Sequence, residues 1–159
     1  MKNLLFISLA LFTTAFISAC ATSTGPTMTP LEIQSMQTRE FEADRKTVFA
    51  STMSVFQDLG YTIETADLET GLIRAQGAAD SNAATKFWLG VTSVSQTAAS
   101  AFVETIGDST KVRLNFVSKV ETSQRWGQTD KQDTPILDAS VYQNAFERIE
   151  NAVFIRNAD

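Results

Sequence analysis

The chain of 159 residues is acidic, with 18 Asp and Glu against 13 Lys and Arg and a formal net charge of −5. No segment is markedly basic, which argues against nucleic acid as a partner. The sequence contains no His and a single Cys, so Ser-His-Asp triads, Cys-His pairs, His-based zinc sites and intramolecular disulfides are excluded. The length suits one domain with a single core.

The first 20 residues have the features of a secretory signal. Lys2 precedes an apolar run over residues 4–16, which is shorter than the ~20 residues that a helix needs to cross a bilayer. The run is followed by Ile17-Ser18-Ala19-Cys20, which resembles the lipobox of bacterial lipoproteins. We therefore predict a signal peptide over residues 1–19, with cleavage between Ala19 and Cys20.

This resemblance implies a lipid anchor at Cys20. In such lipoproteins the thiol takes a diacylglycerol and the freed amine takes a third acyl chain, and several chains anchor a protein permanently. The residue after the cysteine is Ala21 rather than Asp, which implies the outer membrane, facing the periplasm, with the inner membrane as the alternative. Loss of residues 1–19 removes Lys2 and no acidic residue, so we expect no electrostatic grip on anionic lipid heads. A free cysteine, left for intermolecular pairing, is the competing explanation.

Residues 20–36 are predicted to form the lipidated start and a flexible tether, because the segment is rich in Thr and Ser and contains Gly25, Pro26 and Pro30. Docking on the domain is the alternative for residues 31–36 only. Residues 37–157 are then predicted to form a single α+β domain.

Apolar periodicity predicts the elements of this domain. Asp44 is a candidate N-cap for a helix over residues 45–59, and Gly60 suits the C-terminus of that helix. A second helix is predicted from Asp138 to about Ile155. The predicted strands cover residues 38–43, 61–66, 72–76, 95–106 and 110–121, the last with Val112, Leu114, Phe116 and Val120 facing inward.

The connections between the strands include two turns and two less regular segments. Residues 67–71 and 107–109 have turn-forming chemistry. Residues 122–135 are polar and are predicted to form a loop, while residues 77–90 fit no single element. The element order β-α-β-β-β-β-α predicts an α+β fold, in which two helices cover an antiparallel sheet of about five strands.

Residues 41–75 contain the strings Gln57-Asp58-Leu59-Gly60-Tyr61 and Glu69-Thr70-Gly71-Leu72-Ile73. This stretch resembles the repeated small α+β domain, of the helix-grip type, in outer-membrane assembly lipoproteins of the BamC type. It is also similar to many small envelope lipoproteins of uncharacterised function. The resemblance implies a strand, a helix that ends in Leu-Gly-aromatic and a hairpin with Asp and Thr-Gly, and it covers about a quarter of the chain. The shared motif indicates a turn of the fold and not a catalytic site.

Carboxylates are the remaining candidates for catalysis. Asp67 and Glu69 lie together in a predicted turn, and Asp130 and Asp133 lie together in the predicted loop. Turn formation and solvation explain both pairs better than acid-base chemistry does. Calcium binding by Asp130 and Asp133 is an alternative, but the ligand series of an EF-hand loop is missing. We therefore predict no enzymatic activity, no metal and no cofactor.

Two aromatic features are candidates for an interaction site. Trp126 stands beside Arg125 in a polar segment, and such a pair anchors protein interfaces or stacks on sugars. Its alternative is packing over the edge of the sheet. Phe87-Trp88-Leu89 forms an apolar cluster that either covers the core or touches a partner or lipid.

The leading functional hypothesis is a non-enzymatic, membrane-anchored envelope lipoprotein that binds another envelope protein as an assembly or accessory subunit. The alternative is a carrier of a small hydrophobic molecule in a slot between helices and sheet, with Phe87, Trp88 and Trp126 at its mouth. An enzyme that uses Asp or Glu alone ranks third.

Overall fold

The computed structural model describes residues 28–81, 92–123 and 127–158. This part of the chain has an α+β fold in which helices cover an antiparallel sheet, as the sequence predicts. None of its helices is long and apolar enough to cross a lipid bilayer. The elements are α1 (Pro30–Gln37), β1 (Thr38–Phe41), α2 (Arg45–Asp58), β2 (Thr62–Asp67), β3 (Leu72–Gln76), β4 (Asp80–Ser81), β5 (Thr92–Ile106), β6 (Ser109–Ser123), β7 (Thr129–Pro135) and α3 (Ala139–Ala158).

The long hairpin of β5 and β6 forms the centre of the sheet. The two strands pair along their whole length, from Thr92 opposite Ser123 to Ile106 opposite Ser109. The strand order is β1-β6-β5-β3-β2, with β4 paired to β5 and β7 paired to β6. Because β5 lies along one side of β6, β1 and β7 share the other side, next to residues 110–113 and 117–123 respectively.

Helices α2 and α3 pack on one face of the sheet. Asp44 caps α2 by accepting hydrogen bonds from the amides of Lys46 and Thr47, as predicted. Asp138 accepts a hydrogen bond from the amide of Ser140 and caps α3 in the same way. The largest fully buried side chains come from both helices and from the facing side of the strands: Tyr142, Phe56, Phe116, Phe146, Ile73, Leu114 and Ile149.

Tyr142 fills the gap between β1 and β7 on the side of β6. The hydroxyl group of Tyr142 accepts a hydrogen bond from the amide of Phe116 (3.4 Å) and donates one to the carbonyl oxygen of Ile136 (2.9 Å). The carbonyl oxygen of Phe116 accepts from the amide of Ile136 at 2.9 Å. Both backbone groups of Phe116 are therefore hydrogen-bonded, although no strand pairs with this residue on that side.

The turn between β2 and β3 follows from local chemistry. The carboxylate of Asp67 accepts hydrogen bonds from the amide of Glu69 (2.9 Å) and the hydroxyl of Thr70 (2.8 Å). Gly71 has a φ of 77°, and its carbonyl oxygen accepts from the amide of Val103 at 2.9 Å. Arg45 donates to the carbonyl oxygens of Glu69 and Val103 at 3.0 and 3.1 Å. The Asp…Thr-Gly motif thus builds a turn, as predicted, and ties it to α2.

The prediction of a loop over residues 122–135 is wrong for its second half, because Thr129–Pro135 forms β7. Every residue of β7 is exposed, so the strand has no buried face and its sequence has no apolar alternation. Val120 lies on the predicted face of β6 but is only half-buried. The core ends at Phe116, and the strand continues beyond it.

Helix α1 lies in the segment for which the sequence left docking on the domain open. Thr29 and Glu32 form a capping box at its N-terminus. At its other end, Met36 packs against the core and Gln37 donates a hydrogen bond to the hydroxyl of Tyr142. Residues 30–37 are therefore helical and in contact with the domain.

Candidate functional site

The predicted site residues lie outside the described residues. They are the cleavage and lipidation residues Ala19 and Cys20 and the aromatic candidates Phe87, Trp88, Arg125 and Trp126. The structure does describe the residues on either side of the two aromatic segments, which are residues 82–91 and 124–126.

The described residues that flank the two aromatic segments lie together at one end of the sheet. Thr92, which follows the first segment, pairs with Ser123, which precedes the second. Ser123 also pairs with Thr129, the first residue of β7. Ser81, which precedes the first segment, pairs with Val94. The two aromatic segments are about 30 residues apart in the chain. The residues that flank them nevertheless occupy adjacent positions in the sheet.

This end of the sheet extends beyond the helices as an arm, made of residues 92–98, 117–123 and 129–135. The last buried pair before the arm is Ala99 opposite Phe116. None of the arm residues whose side chains are described is buried. At about 3.3 Å per residue, the arm projects about 23 Å from Phe116 to Ser123. An extension of this length contributes no side chain to the core.

The two faces of the arm differ in their chemistry. Alternation along the strands gives one face hydroxyl groups, among them Ser95, Thr97, Ser118, Thr122 and Thr134. The opposite face has charged side chains, including Lys119, Glu121, Lys131 and Asp133, with an ion pair of 3.2 Å between Lys131 and Glu121. Polar side chains predominate on both faces, although Val94 and Val117 lie on the charged face and Val120 lies on the hydroxyl face.

Both long edges of the sheet carry features that oppose the addition of another strand. Lys131 and Asp133 charge the edge strand β7, and Pro135 ends it. The other edge strand, β2, has a register shift between Ile63 and Thr65. Charges, prolines and bulges on an edge hinder pairing with a further strand. Within the arm, these features protect the side formed by β7, while β4 pairs with two residues, Val94 and Ser95, on the other side.

An apolar cleft lies at the base of the arm, where α2 ends and α3 begins. Its volume is about 460 Å³, and its lining residues are Leu59, Tyr61, Phe116, Ser140, Val141 and Asn144. The rings of Tyr61 and Phe116 are 6.2 Å apart, measured between centroids. Burial raises the pKa of the Tyr61 hydroxyl. A tyrosine hydroxyl is a hydrogen-bond donor at neutral pH even without such a shift. None of the lining residues is charged.

The carboxylates considered for catalysis or calcium binding do not converge on a shared site among the described residues: Asp67 stabilises a turn, and Asp130 and Asp133 lie on opposite faces of β7. Hydrogen bonds from the Thr70 hydroxyl and the Glu69 amide lower the pKa of Asp67, so this carboxyl is ionised and committed to its turn. Asp130 and Asp133 are three residues apart in β7, and alternation directs them to opposite faces. This separation argues against a shared calcium ion. Within the described ranges, no group of three or more His, Cys, Asp or Glu residues is placed to hold a metal.

Comparisons with known proteins give no family for this chain. No protein-family model matches it, and no curated protein matches it. Among solved structures, it is similar to the crystal structure of a DUF4468 family protein from Bacteroides ovatus, at 11% identity and a TM-score of 0.38. The match covers 73% of this chain and 84% of the other.

Proposed function

We propose that the chain is a bacterial lipoprotein without enzymatic activity, cut before Cys20, acylated there and held on the periplasmic side of the outer membrane. The lipobox-like string Ile17-Ser18-Ala19-Cys20 supports this proposal. Mass spectrometry of the mature N-terminal peptide tests it, because an acylated Cys20 has a mass that no unmodified peptide shares. An unmodified Cys20, or a chain that still carries residues 1–19, would contradict the lipid anchor.

We further propose that the domain binds another envelope protein through the tip of the arm. The pairing of Thr92 with Ser123 carries this proposal, because these two residues follow and precede the aromatic segments in the chain. An arm without buried side chains adds little to the core, so its length needs another explanation. Aromatic and Arg residues are the types that dominate binding energy in protein interfaces. The similarity to BamC-type assembly lipoproteins remains a prediction that is consistent with this role.

Formaldehyde crosslinking of cells, followed by purification of the full chain, tests this proposal. We expect the native chain to co-purify one envelope protein, and Trp88→Ala or Trp126→Ala to reduce its yield at least about tenfold, as loss of an interface anchor does. Phe154→Ala is the matched control, since its ring is 73% exposed on α3. Equal yields from the native chain and from both Trp variants would contradict the role of the aromatic segments.

A second candidate function is binding of a small hydrophobic molecule, which the cleft at the base of the arm favours. Its volume of about 460 Å³ is within the range of small-molecule sites. Its uncharged lining, with the Tyr61 hydroxyl as donor, suits an uncharged ligand with an acceptor group. Native mass spectrometry tests this function, because a carrier would retain a ligand of defined mass. We expect Val141→Asp to abolish that retention and Ile155→Asp, on the same helix, to preserve it.

A further inference from the structure

The hydroxyl face of the arm continues directly from the apolar cleft. Ser118 lies two residues beyond Phe116 on β6, so alternation places both side chains on the same face of the sheet. Tyr61, which also lines the cleft, reaches the same part of the sheet. A Cβ placed on Gly77 would lie 3.6 Å from Cε1 of Tyr61 and 3.7 Å from Cβ of Thr97. The cleft and the hydroxyl groups therefore form one continuous surface.

The hydroxyl groups nearest the cleft form a row across three strands. Thr97, Ser118 and Thr134 lie opposite one another on β5, β6 and β7. Neighbouring strands are about 4.8 Å apart, so the row is about 10 Å long. Within the described part of the chain, none of these three hydroxyls has a hydrogen-bond partner. Because a hydroxyl both donates and accepts, the row offers a ligand hydrogen bonds of both kinds.

This part of the surface is uncharged. The next row outward consists of Ser95, Val120 and Gln132, and the lining of the cleft is also without charge. On this face of β7 the first charged residue is Asp130, which lies beyond both rows. A phosphate, sulfate or ammonium group would find no opposite charge in the two rows, so its desolvation would not be offset. The hydroxyl groups of a sugar would find donors and acceptors there.

Building on the second candidate function, the binding of a small hydrophobic molecule in the cleft, we propose that the ligand is a neutral glycoside. Its apolar part occupies the cleft, against the rings of Tyr61 and Phe116, which are 6.2 Å apart. Its sugar lies over the row of Thr97, Ser118 and Thr134. Burial of the apolar part supplies affinity, and the hydroxyl row selects the head group, because a few placed polar groups fix orientation and specificity in such sites.

Photoaffinity labelling of the full chain in isolated membranes tests this inference. One probe is n-octyl glucoside with a diazirine at the end of its alkyl chain, and the other is n-octanol with the same diazirine. The readout is the yield of adducts, measured by mass spectrometry, on peptides that contain residues 59–61 or 140–144, which line the cleft. For each probe, the yield from a variant is divided by the yield from the native chain, which cancels the partition of the probe into lipid.

Three variants separate the hydroxyl row from the cleft. The double variant Thr97→Val/Ser118→Ala removes two hydroxyls of the row, and Thr134→Val removes the third from an exposed edge strand. The matched control, Ser100→Ala/Thr129→Val, makes the same changes on the opposite face of the sheet. We expect the glucoside yield to fall about tenfold in the double variant, about threefold in Thr134→Val and not at all in the control. The octanol yield should keep its native value in all three.

Each contrary result identifies what has failed. An unchanged glucoside yield in the double variant would overturn the inference and leave the cleft as a site for hydrophobic molecules. An equal loss for both probes would also overturn it, because the hydroxyls would then support the cleft and not select a sugar. If neither probe labels the cleft of the native chain, the second candidate function fails, and this inference with it.

Discussion

The hydroxyl group of Tyr142 accepts a hydrogen bond from the backbone amide of Phe116 at 3.4 Å. This contact joins α3 to the one stretch of β6 that has no neighbouring strand on its outer side. It also marks the boundary between two regions of the sheet. On one side of Phe116 lies the buried core, and on the other side lies the exposed arm.

Removal of this hydroxyl should destabilise the fold. Tyr142→Phe leaves the amide of Phe116 without its partner in a buried position, so we expect a loss of about 1–3 kcal/mol in the free energy of unfolding. Denaturant titration followed by circular dichroism measures it. Tyr61→Phe is the control, since the Tyr61 hydroxyl bonds to no other described residue. Equal stability of Tyr142→Phe and the native chain would show that the contact contributes nothing.

Two glycines with positive φ should differ in their tolerance of alanine. Gly107 (φ 60°) has open space around it, so Gly107→Ala should cost only the strain of a left-handed residue, about 1–2 kcal/mol. A Cβ at Gly71 (φ 77°) would overlap the carbonyl oxygen of Val103 and crowd Arg45. We expect Gly71→Ala to cost about 1–3 kcal/mol more than Gly107→Ala, because overpacking adds to the strain. Thermal melts of both variants make the comparison, and equal costs would argue against the close approach.

Whether the arm contributes to the stability of the core can be tested by making the same substitution at two positions of β6. Val112→Ala removes two methyl groups from the buried core and should cost about 2 kcal/mol. Val120→Ala makes the same change on the same face of the strand, but in the arm, and should cost less than about 1 kcal/mol. Equilibrium unfolding in urea measures both. If Val120→Ala lowers the free energy of unfolding by more than this, Val120 packs in a way that stabilises the fold, and the arm is not independent of the core.

Acid should weaken the fold through its turn and capping carboxylates. Hydrogen bonds lower the pKa values of Asp44, Asp67 and Asp138, chiefly those from the hydroxyls of Thr47, Thr70 and Ser140. A carboxyl with a lowered folded-state pKa binds more protons when unfolded, so its contribution is present above the ordinary value of 3.8 and is lost as the pH falls below it.

Stability measured between pH 6 and pH 2.5 should therefore decline most steeply below about pH 4. Asp67→Asn removes one of the three carboxyls, so we expect a lower unfolding midpoint at pH 6 and a shallower decline towards acid pH. An unchanged slope in this variant would contradict the stabilising role of the Asp67 hydrogen bonds.

The parts of the fold that depend on local chemistry could be predicted from the sequence. Asp44 and Gly60 mark the ends of α2, and Asp67 and Gly71 build the β2–β3 turn, because capping and turn formation use residues that are close in the chain. The alternation of β6 from Val112 to Phe116 was readable because one face of that stretch is buried.

The parts that depend on distant contacts could not be predicted in the same way. Strand β7 buries neither face, so its sequence has no period of two. Helix α1 has no buried residue, and its place depends on Met36 and Gln37 meeting the core and Tyr142. The lining of the cleft comes from three separate parts of the sequence, residues 59–61, 116 and 140–144, although a slot between helices and sheet was anticipated in general terms. The roles of Trp88 and Trp126 in binding a partner remain predictions.

The measurement that tests the central claim most directly is photocrosslinking in living cells from a photoreactive phenylalanine derivative at position 126, compared with the same derivative at position 154. The interaction account predicts one reproducible envelope-protein adduct from position 126 and none from position 154, where the native Phe154 is 73% exposed at the far end of α3. No protein adduct from position 126, at normal abundance and membrane location, would contradict the claim that the tip of the arm binds a partner.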